Sequence, residues 1–284
     1  MAAKGLIKKS DAGYPLLLSL IPNPPEHLYY CGDASLLETF TVAVVGARRC
    51  TEYGSWAAYN IAKRLSQYGV TVVSGMAEGI DSHAHRGALD GGSPTVAVWG
   101  CGLDYCFPRR NEKLMDEILS NGLIITEYEE GVRPNKFTFP MRNRIISGIS
   151  FAVVVAEAAV RSGSLITAEL AVDQGRDVYA VPGNINREKS VGCNKLIYDG
   201  AKPVIFIDDI LRDLGIDKVK EQRRDVSLSP DERLAYEAVM KNGEMGYEEF
   251  ARVLRRGIAS ATSLAVAMEM KGLFVTSAGK IMIP

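Results

Sequence analysis

The residues of this sequence that could do chemistry gather at three glycine-containing turns and in one basic, aromatic run. In Thr41 to Gly54, TVAVVGARRCTEYG, a short β-branched run ends at Gly46 and delivers Arg48 and Arg49 into the turn beyond it. The planar fork of an arginine grips two oxygens at once, which suits a phosphate or a carboxylate. The plain alternative is a pair of solvated loop residues. A second apolar run, Val70 to Val73, leads into Ser74-Gly75-Met76-Ala77-Glu78-Gly79-Ile80-Asp81, with small residues wherever main-chain amides would approach an anion. After Phe151 to Val155, Arg161-Ser162-Gly163-Ser164-Leu165 repeats the device; Ser162 or Ser164 either caps the next helix or leaves its amide end to an anion.

Between Arg133 and Arg144 the run RPNKFTFPMRNR carries Arg133, Lys136, Arg142 and Arg144 without a carboxylate, interleaved with Phe137 and Phe139. A single strand of nucleic acid needs that combination, because its phosphates attract cations and its unpaired bases need a face to stack on. The competing reading buries the phenylalanines in a core and pairs the arginines with Glu127, Glu129 and Glu130. Arg142-Asn143-Arg144 then leads into Ile145, Ile146 and Ile149 as the start of a helix whose polar end faces the same rim. Acid–base chemistry on a nucleotide would instead need a carboxylate beside a sugar, and Glu78, Asp81 and Glu157 are the candidates. His83 and His85 lie near Asp81 and are metal-ligand types, but a polar helix face is the preferred reading and no metal site is expected.

The elements that must position these residues alternate between strand and helix. Strands are predicted at Val42–Val45, Val70–Val73, Thr95–Val98, Leu123–Thr126, Phe151–Val155, Asp177–Val181 and Pro203–Phe206, with helices near Gly54–Tyr68, Asp81–Leu89 and Asn111–Ser120. That spacing implies right-handed crossovers and an α/β fold: an extended Rossmann-like, mostly parallel sheet with helices on both faces. Ligands of such sheets bind beyond the carboxyl ends of the strands, which is where Arg48 falls. Residues 1–40 contain clustered prolines, YPLLLSLIPNPPEHLYYCGD, that forbid a long helix, so they are read as an extension packing on the main domain at 41–216.

Several classes are excluded by pattern. Gly46-Ala47-Arg48 and Gly100-Cys101-Gly102 both fail to complete a dinucleotide fingerprint, and no GxxxxGK[ST] loop occurs, so neither NAD nor any other cofactor is expected. The 284 residues carry a formal charge of −1, so any nucleic-acid surface must be a local patch. The five cysteines, Cys31, Cys50, Cys101, Cys106 and Cys193, lack zinc-ribbon spacing and read as reduced thiols. No run approaches the roughly 18 apolar residues of a membrane span, and MAAKGLIKKS lacks a signal-peptide core; a cytoplasmic protein without membrane contact is expected.

With these motifs in order, the chain resembles the DNA-processing protein A family (DprA, also called Smf), bacterial proteins of natural transformation. The motifs are Gly46-Ala47-Arg48 with Tyr53-Gly54, Ser74 to Asp81, Phe139-Pro140-Met141-Arg142-Asn143-Arg144-Ile145-Ile146, Arg161 to Leu165 and Val181-Pro182-Gly183. Gly192-Cys193-Asn194 and Asp199-Gly200-Ala201 complete a set covering about residues 14–207. The resemblance implies a non-enzymatic protein that binds single-stranded DNA, forms a homodimer, and helps load the RecA recombinase onto incoming strands. It carries the family's pocket onto Arg48, Lys136, Phe139, Arg142 and Arg144, and with the turns gives a candidate DNA-binding set that adds Gly46, Tyr53, Ser74, Gly75, Ala77, Gly79, Asn143, Ser162, Gly163 and Ser164. Ala47 departs from the serine or threonine of many relatives, which removes one hydroxyl contact. The helix-hairpin module that some members carry at the amino end is expected to be missing. The rival class is a nucleoside-monophosphate phosphoribohydrolase, but its PGGxGTxxE signature has no counterpart after the Phe151 strand.

Beyond a polar linker at 217–229, Ser229-Pro230-Asp231-Glu232 is a helix start with proline at the first position and acids in the first turn. Helices near Pro230–Lys241, Tyr247–Arg255 and Ser260–Lys271, then strands at Leu273–Val275 and Lys280–Ile283, give the order of a small winged-helix domain at 230–284. Its third helix has no lysine or arginine from Ala259 to Met270, so the module is not expected to read duplex DNA alone; Arg252, Arg255 and Arg256 are the residues that argue otherwise.

Overall fold

The computed structural model describes residues 3–216, 229–271, 273–277 and 279–282. Its chain divides into two compact units, Met1–Glu221 and Gln222–Pro284. The expected linker lies outside the described residues except for Ser229.

In the first unit the strands are β1 (Lys4–Lys8), β2 (His27–Gly32), β3 (Thr41–Gly46), β4 (Thr71–Ser74), β5 (Thr95–Val98), β6 (Leu123–Thr126), β7 (Ala152–Glu157), β8 (Asp177–Ala180) and β9 (Lys202–Pro203). The helices are α1 (Leu16–Ser19), α2 (Glu52–Gln67), α3 (Ile80–Gly91), α4 (Glu112–Asn121), α5 (Thr138–Gly148), α6 (Gly163–Asp173), α7 (Glu188–Tyr198) and α8 (Ile207–Asp213). One nine-stranded sheet runs β1-β2-β6-β5-β4-β3-β7-β8-β9, and every pairing from β6 to β9 is parallel. Residues of β3 to β7 are buried almost throughout, because helices cover both faces. Ile145, Ile146 and Ala168 pack on one face, and Ala57, Ile61, Leu65 and Ile210 on the other. The predicted Rossmann-like α/β architecture is what the chain adopts.

Three local expectations change. Residues 3–40 do more than lie on the sheet, since β1 and β2 extend it antiparallel beyond β6 while Leu18, Ile21 and Leu28 enter the core. The last strand is Lys202–Pro203 rather than Pro203–Phe206; Ile205 and Phe206 are exposed and lead directly into α8. The helix of the basic run starts at Thr138, not at Arg142, because the Asn135 side chain accepts bonds from the Phe137 and Thr138 amides at 2.8 and 3.1 Å.

Strand numbering along the sheet falls from β5 to β3 and then rises at β7, so the order reverses between β3 and β7. This is the topological switch point at which the loops after neighbouring strands turn to opposite faces and open a crevice.

The second unit holds α9 (Pro230–Asn242), β10 (Met245–Gly246), α10 (Tyr247–Val253), α11 (Ile258–Met270), β11 (Val275–Ser277) and β12 (Lys280–Met282). Ser229 and Glu232 form a capping box at α9. The strands pair β10-β12-β11, and Phe250, Phe274 and Ile281 fill the core. The first strand of the pair falls two residues later than expected, since Phe274 is a core residue ahead of it rather than part of it. Among the described residues no helix is long and apolar enough to cross a membrane.

His85 is not on a polar helix face. Its ring is fully buried, Nδ1 lies 2.8 Å from the Thr95 hydroxyl, and burial pushes its pKa from 6.5 down to about 3. The unfolded chain takes up this proton as pH falls through 6.5 while the folded chain does not until about 3, so the stability held by the neutral ring is lost on acidification across that window. The expected contribution is about 1.4 kcal/mol per pH unit below about pH 6. Urea unfolding at neutral and mildly acid pH should show a smaller acid-side loss in His85→Asn than in the parent; equal losses would contradict this.

Candidate nucleic-acid interface

The crevice between β3 and β7 is a cavity of about 970 Å3. Its wall is built from the turn after β3 (Gly46 to Arg49), the turn after β4 with the start of α3 (Ala77 and Asp81), the start of α5 with the loop before it (Pro134 to Lys136, Phe139, Pro140, Arg142 and Asn143), and the turn after β7 (Ala159 to Ser164). Phe107, Glu188 and Lys189 also reach it. Arg48 and Lys136 therefore face one space. Arg48, Arg49, Lys136 and Arg161 are exposed, and none forms an ion pair among the described residues.

Glycines let the turns close on one another. A Cβ at Gly46 would come within 2.6 Å of Ile80 and 2.7 Å of the Glu157 carbonyl. Gly79 has φ of +77°, a left-handed conformation that glycine adopts without strain, and a side chain there would strike the Ala47 and Arg48 carbonyls. At Gly75 a Cβ would lie 2.7 Å from both the Arg142 guanidinium and the Asp81 carboxylate.

Arg142 forms the cavity floor and is only 4% exposed. Nη1 donates to the Gly75 carbonyl at 2.7 Å and to the Val98 carbonyl, while Nε has no partner. Burial lowers its pKa to about 10, opposed by Asp81 and reinforced by Arg48, so it stays charged at neutral pH. Asp81 shifts the other way: burial raises its pKa, against the nearby Arg142 and a bond from the Ala77 amide. Above this floor the Arg48 guanidinium lies 5.3 Å from the Phe139 ring centroid, and Arg142 lies 6.0 Å from it.

The first turn of α6 opens into the cavity. Ser162 occupies the cap position but makes no capping bond, because its hydroxyl pairs with that of Ser164 at 2.8 Å. The Leu165 amide donates to the Ser162 carbonyl at 3.1 Å, so the Gly163 and Ser164 amides are the donors this turn offers an anion, and the turn carries no acidic residue. Asn143 holds the same turn through a 3.3 Å bond to the Gly163 carbonyl.

Not every candidate joins the cavity. Arg144 points elsewhere: its fork donates to both Glu127 oxygens at 2.6 Å and its Nε to the Asn23 carbonyl at 2.8 Å. The reason is helical phase, since Phe139, Arg142, Asn143 and Ile146 share the cavity face of α5 and a residue two places from Arg142 lies on the far side. Ser74 is buried and donates to the Val44 carbonyl at 2.7 Å. Tyr53 is exposed outside the cavity wall, its hydroxyl donating to the Pro182 carbonyl at 3.0 Å. Gly75 acts from behind the wall as an acceptor for Arg142. Conversely, Phe107, Asn135 and Lys189 were not on the candidate list. Lys189, following a strand's carboxyl end, had a readable signal; Phe107, alone in a loop, had none. Among the described residues no group of three or more His, Cys, Asp or Glu could hold a metal ion.

The two arginine types separate in stability. Arg144→Met leaves the partly buried Glu127 without its cation and should lower the unfolding free energy by about 2–3 kcal/mol, whereas Arg48→Ala should change it by less than about 0.5 kcal/mol. Denaturant melts of both variants measure this, and equal effects would contradict the assignment.

Comparison with known proteins agrees with this geometry. The family model described as DNA recombination-mediator protein A matches residues 5–215. DNA processing protein DprA of Streptococcus pneumoniae is 46% identical over 201 residues, covering 71% of each chain. Protein Smf of Escherichia coli is 39% identical over 231 residues, 80% of this chain and 62% of that one. The X-ray structure of the S. pneumoniae protein superimposes with a TM-score of 0.71 at 44% identity, covering 74% of each chain. DprA of Helicobacter pylori, whose structure addresses its own single-stranded DNA binding mode, gives 0.67 at 32% identity over 75% of this chain and 100% of that one. A match of this extent, on a sheet whose switch-point crevice is lined by the family's turns, means that the chain belongs to the DNA recombination-mediator protein A family.

Proposed function

We propose that the chain binds single-stranded DNA at the switch-point crevice without altering it chemically. The observation that carries this reading is the convergence of Arg48, Arg49, Lys136 and Arg161 with the uncapped first turn of α6 around one cavity. Phosphates take the cations and amides, and unpaired bases take the aromatic side of the wall. A related protein from H. pylori is described by its single-stranded DNA binding mode, which supports the same ligand here.

A hydrolase reading draws less support. Glu157 accepts bonds from the Thr51 amide at 3.1 and 3.2 Å and from its hydroxyl, Glu78 pairs with Arg110 at 3.1 Å, and Asp81 is buried beside Arg142. The three carboxylates that base release would draw on are engaged within the fold, so the protein is read as non-enzymatic. We extend the proposal, on family membership, to protection of incoming DNA in the cytoplasm and to loading of RecA recombinase during transformation or recombination. Exposed Ile205 and Phe206 beside the edge strand β9 support a homodimer. The second unit is proposed to be a winged helix that does not read duplex DNA alone: α11 carries no cation, and Arg256 is paired with Asp231 at 2.5 Å.

Binding through phosphates releases counterions, so affinity should fall steeply with salt. Arg48→Ala and Lys136→Ala should each weaken binding on every sequence alike and reduce the salt slope by about one. Fluorescence anisotropy with oligodeoxythymidine at several salt concentrations tests this; unchanged affinity in both variants would remove the proposed site.

A further inference from the structure

Glu157, at the end of β7, is a carboxylate only 4% exposed, and among the described residues no cation pairs with it. Taking such a group out of water is costly unless donors replace the water. Here the donors come from Thr51, whose amide lies 3.1 Å from Oε1 and 3.2 Å from Oε2 and whose hydroxyl donates to Oε2. The main chain of Glu157 reaches the same turn at its other end, because the Ala47 amide donates to the Glu157 carbonyl at 2.8 Å. A register shift between Val45 and Gly46 sets Gly46 opposite Glu157, so one residue of β7 spans the whole turn after β3. Between the two holds lie Arg48, Arg49 and Cys50, and both arginines are exposed. Helix α2 does not need the carboxylate for its cap, since the Thr51 hydroxyl already accepts from the Gly54 amide at 3.0 Å. Gly54 is shaped to the carboxylate instead: a Cβ there would lie 2.5 Å from Oε2 and 2.8 Å from Cδ.

We propose that Glu157 is a positioning residue for nucleic-acid binding: it clamps the turn after β3 at both ends, so that Arg48 and Arg49 stand at the crevice before a strand arrives. The inference rests on the single-strand reading of the crevice. Two exposed arginines on an unclamped turn would have to give up main-chain as well as side-chain freedom on meeting a phosphate. With the ends of the turn fixed, the main-chain part of that cost falls on folding rather than on binding. The sign of the charge separates this role from an electrostatic one. A carboxylate behind an anion site repels the ligand, so its removal would by charge alone strengthen binding. Its removal as a clamp weakens binding. A neutral side chain of the same shape keeps the clamp and drops the repulsion, and the two effects then part.

The test is binding of the full chain to oligodeoxythymidine at low salt, where variants that have lost cations still bind measurably. Glu157→Ala should weaken binding about tenfold. Glu157→Gln, which keeps an acceptor for the Thr51 amide and removes the charge, should bind at least as tightly as the parent. In a chain already carrying Arg48→Ala and Arg49→Ala, adding Glu157→Ala should change affinity by less than about twofold, because the clamp then has no cation to place. Gly54→Ala, whose Cβ displaces the carboxylate while leaving Glu157 in the chain, should weaken binding as Glu157→Ala does. Thermal unfolding shows which variants are folded, and Gly54→Ala carries the test where Glu157→Ala is not. A folded Glu157→Ala or Gly54→Ala variant with the parent's affinity would overturn the inference. So would a Glu157→Gln variant as weak as Glu157→Ala, or a tenfold loss that persists without the two arginines. A parent that does not bind oligodeoxythymidine would overturn the single-strand reading itself, and this inference with it.

Discussion

The buried guanidinium of Arg142 is the constraint around which the crevice is arranged. A cation that is 4% exposed has to be satisfied from within, and Arg142 draws its acceptors from the turn after β4 and the end of β5. That requirement fixes α5 against the sheet at one depth and one rotation. The rotation then determines that Phe139 and Asn143 meet the cavity and Arg144 does not. Asp81, raised in pKa by burial yet held close to Arg142, completes the floor.

Topology supplies the rest. At the switch point the turn after β3 and the turn after β7 part, and the space between them is lined by the first turn of α6 and by Arg48. Glycine at 46, 75 and 79 is what allows the floor, the Arg48 turn and α3 to touch without side chains between them. Fixed main-chain donors on one wall and exposed cations at the rim make a site that suits a polyanion of variable sequence, since neither group reads a base edge.

Much of this was legible in the residues. The buried β-branched runs of β3, β4, β5, β6 and β7 are continuous enough to identify as covered strands, and the glycine after β3 marks the turn. The edges were not legible: β1 and β2 are half-buried antiparallel strands separated by prolines, so their pattern resembles an irregular segment. β9 has only two residues. Site assignment depended on one helix boundary. Starting α5 at Thr138 instead of Arg142 leaves the residue types unchanged but makes clear that Arg142 and Arg144 face opposite ways, and the Glu127 partner of Arg144 follows from that phase. Phe107 could not be found from sequence, because its place at the cavity comes from contacts between two loops more than twenty residues apart.

The central claim is that a polyanion lies across the turn after β3 and the first turn of α6. Amide hydrogen exchange on the full chain, with and without oligodeoxythymidine, tests it most directly. Exchange should slow at residues 48–49 and 163–164, whose amides are not already bonded within the fold, when the strand is bound. Slowing confined to other parts of the chain, with these two turns unchanged, would contradict the account.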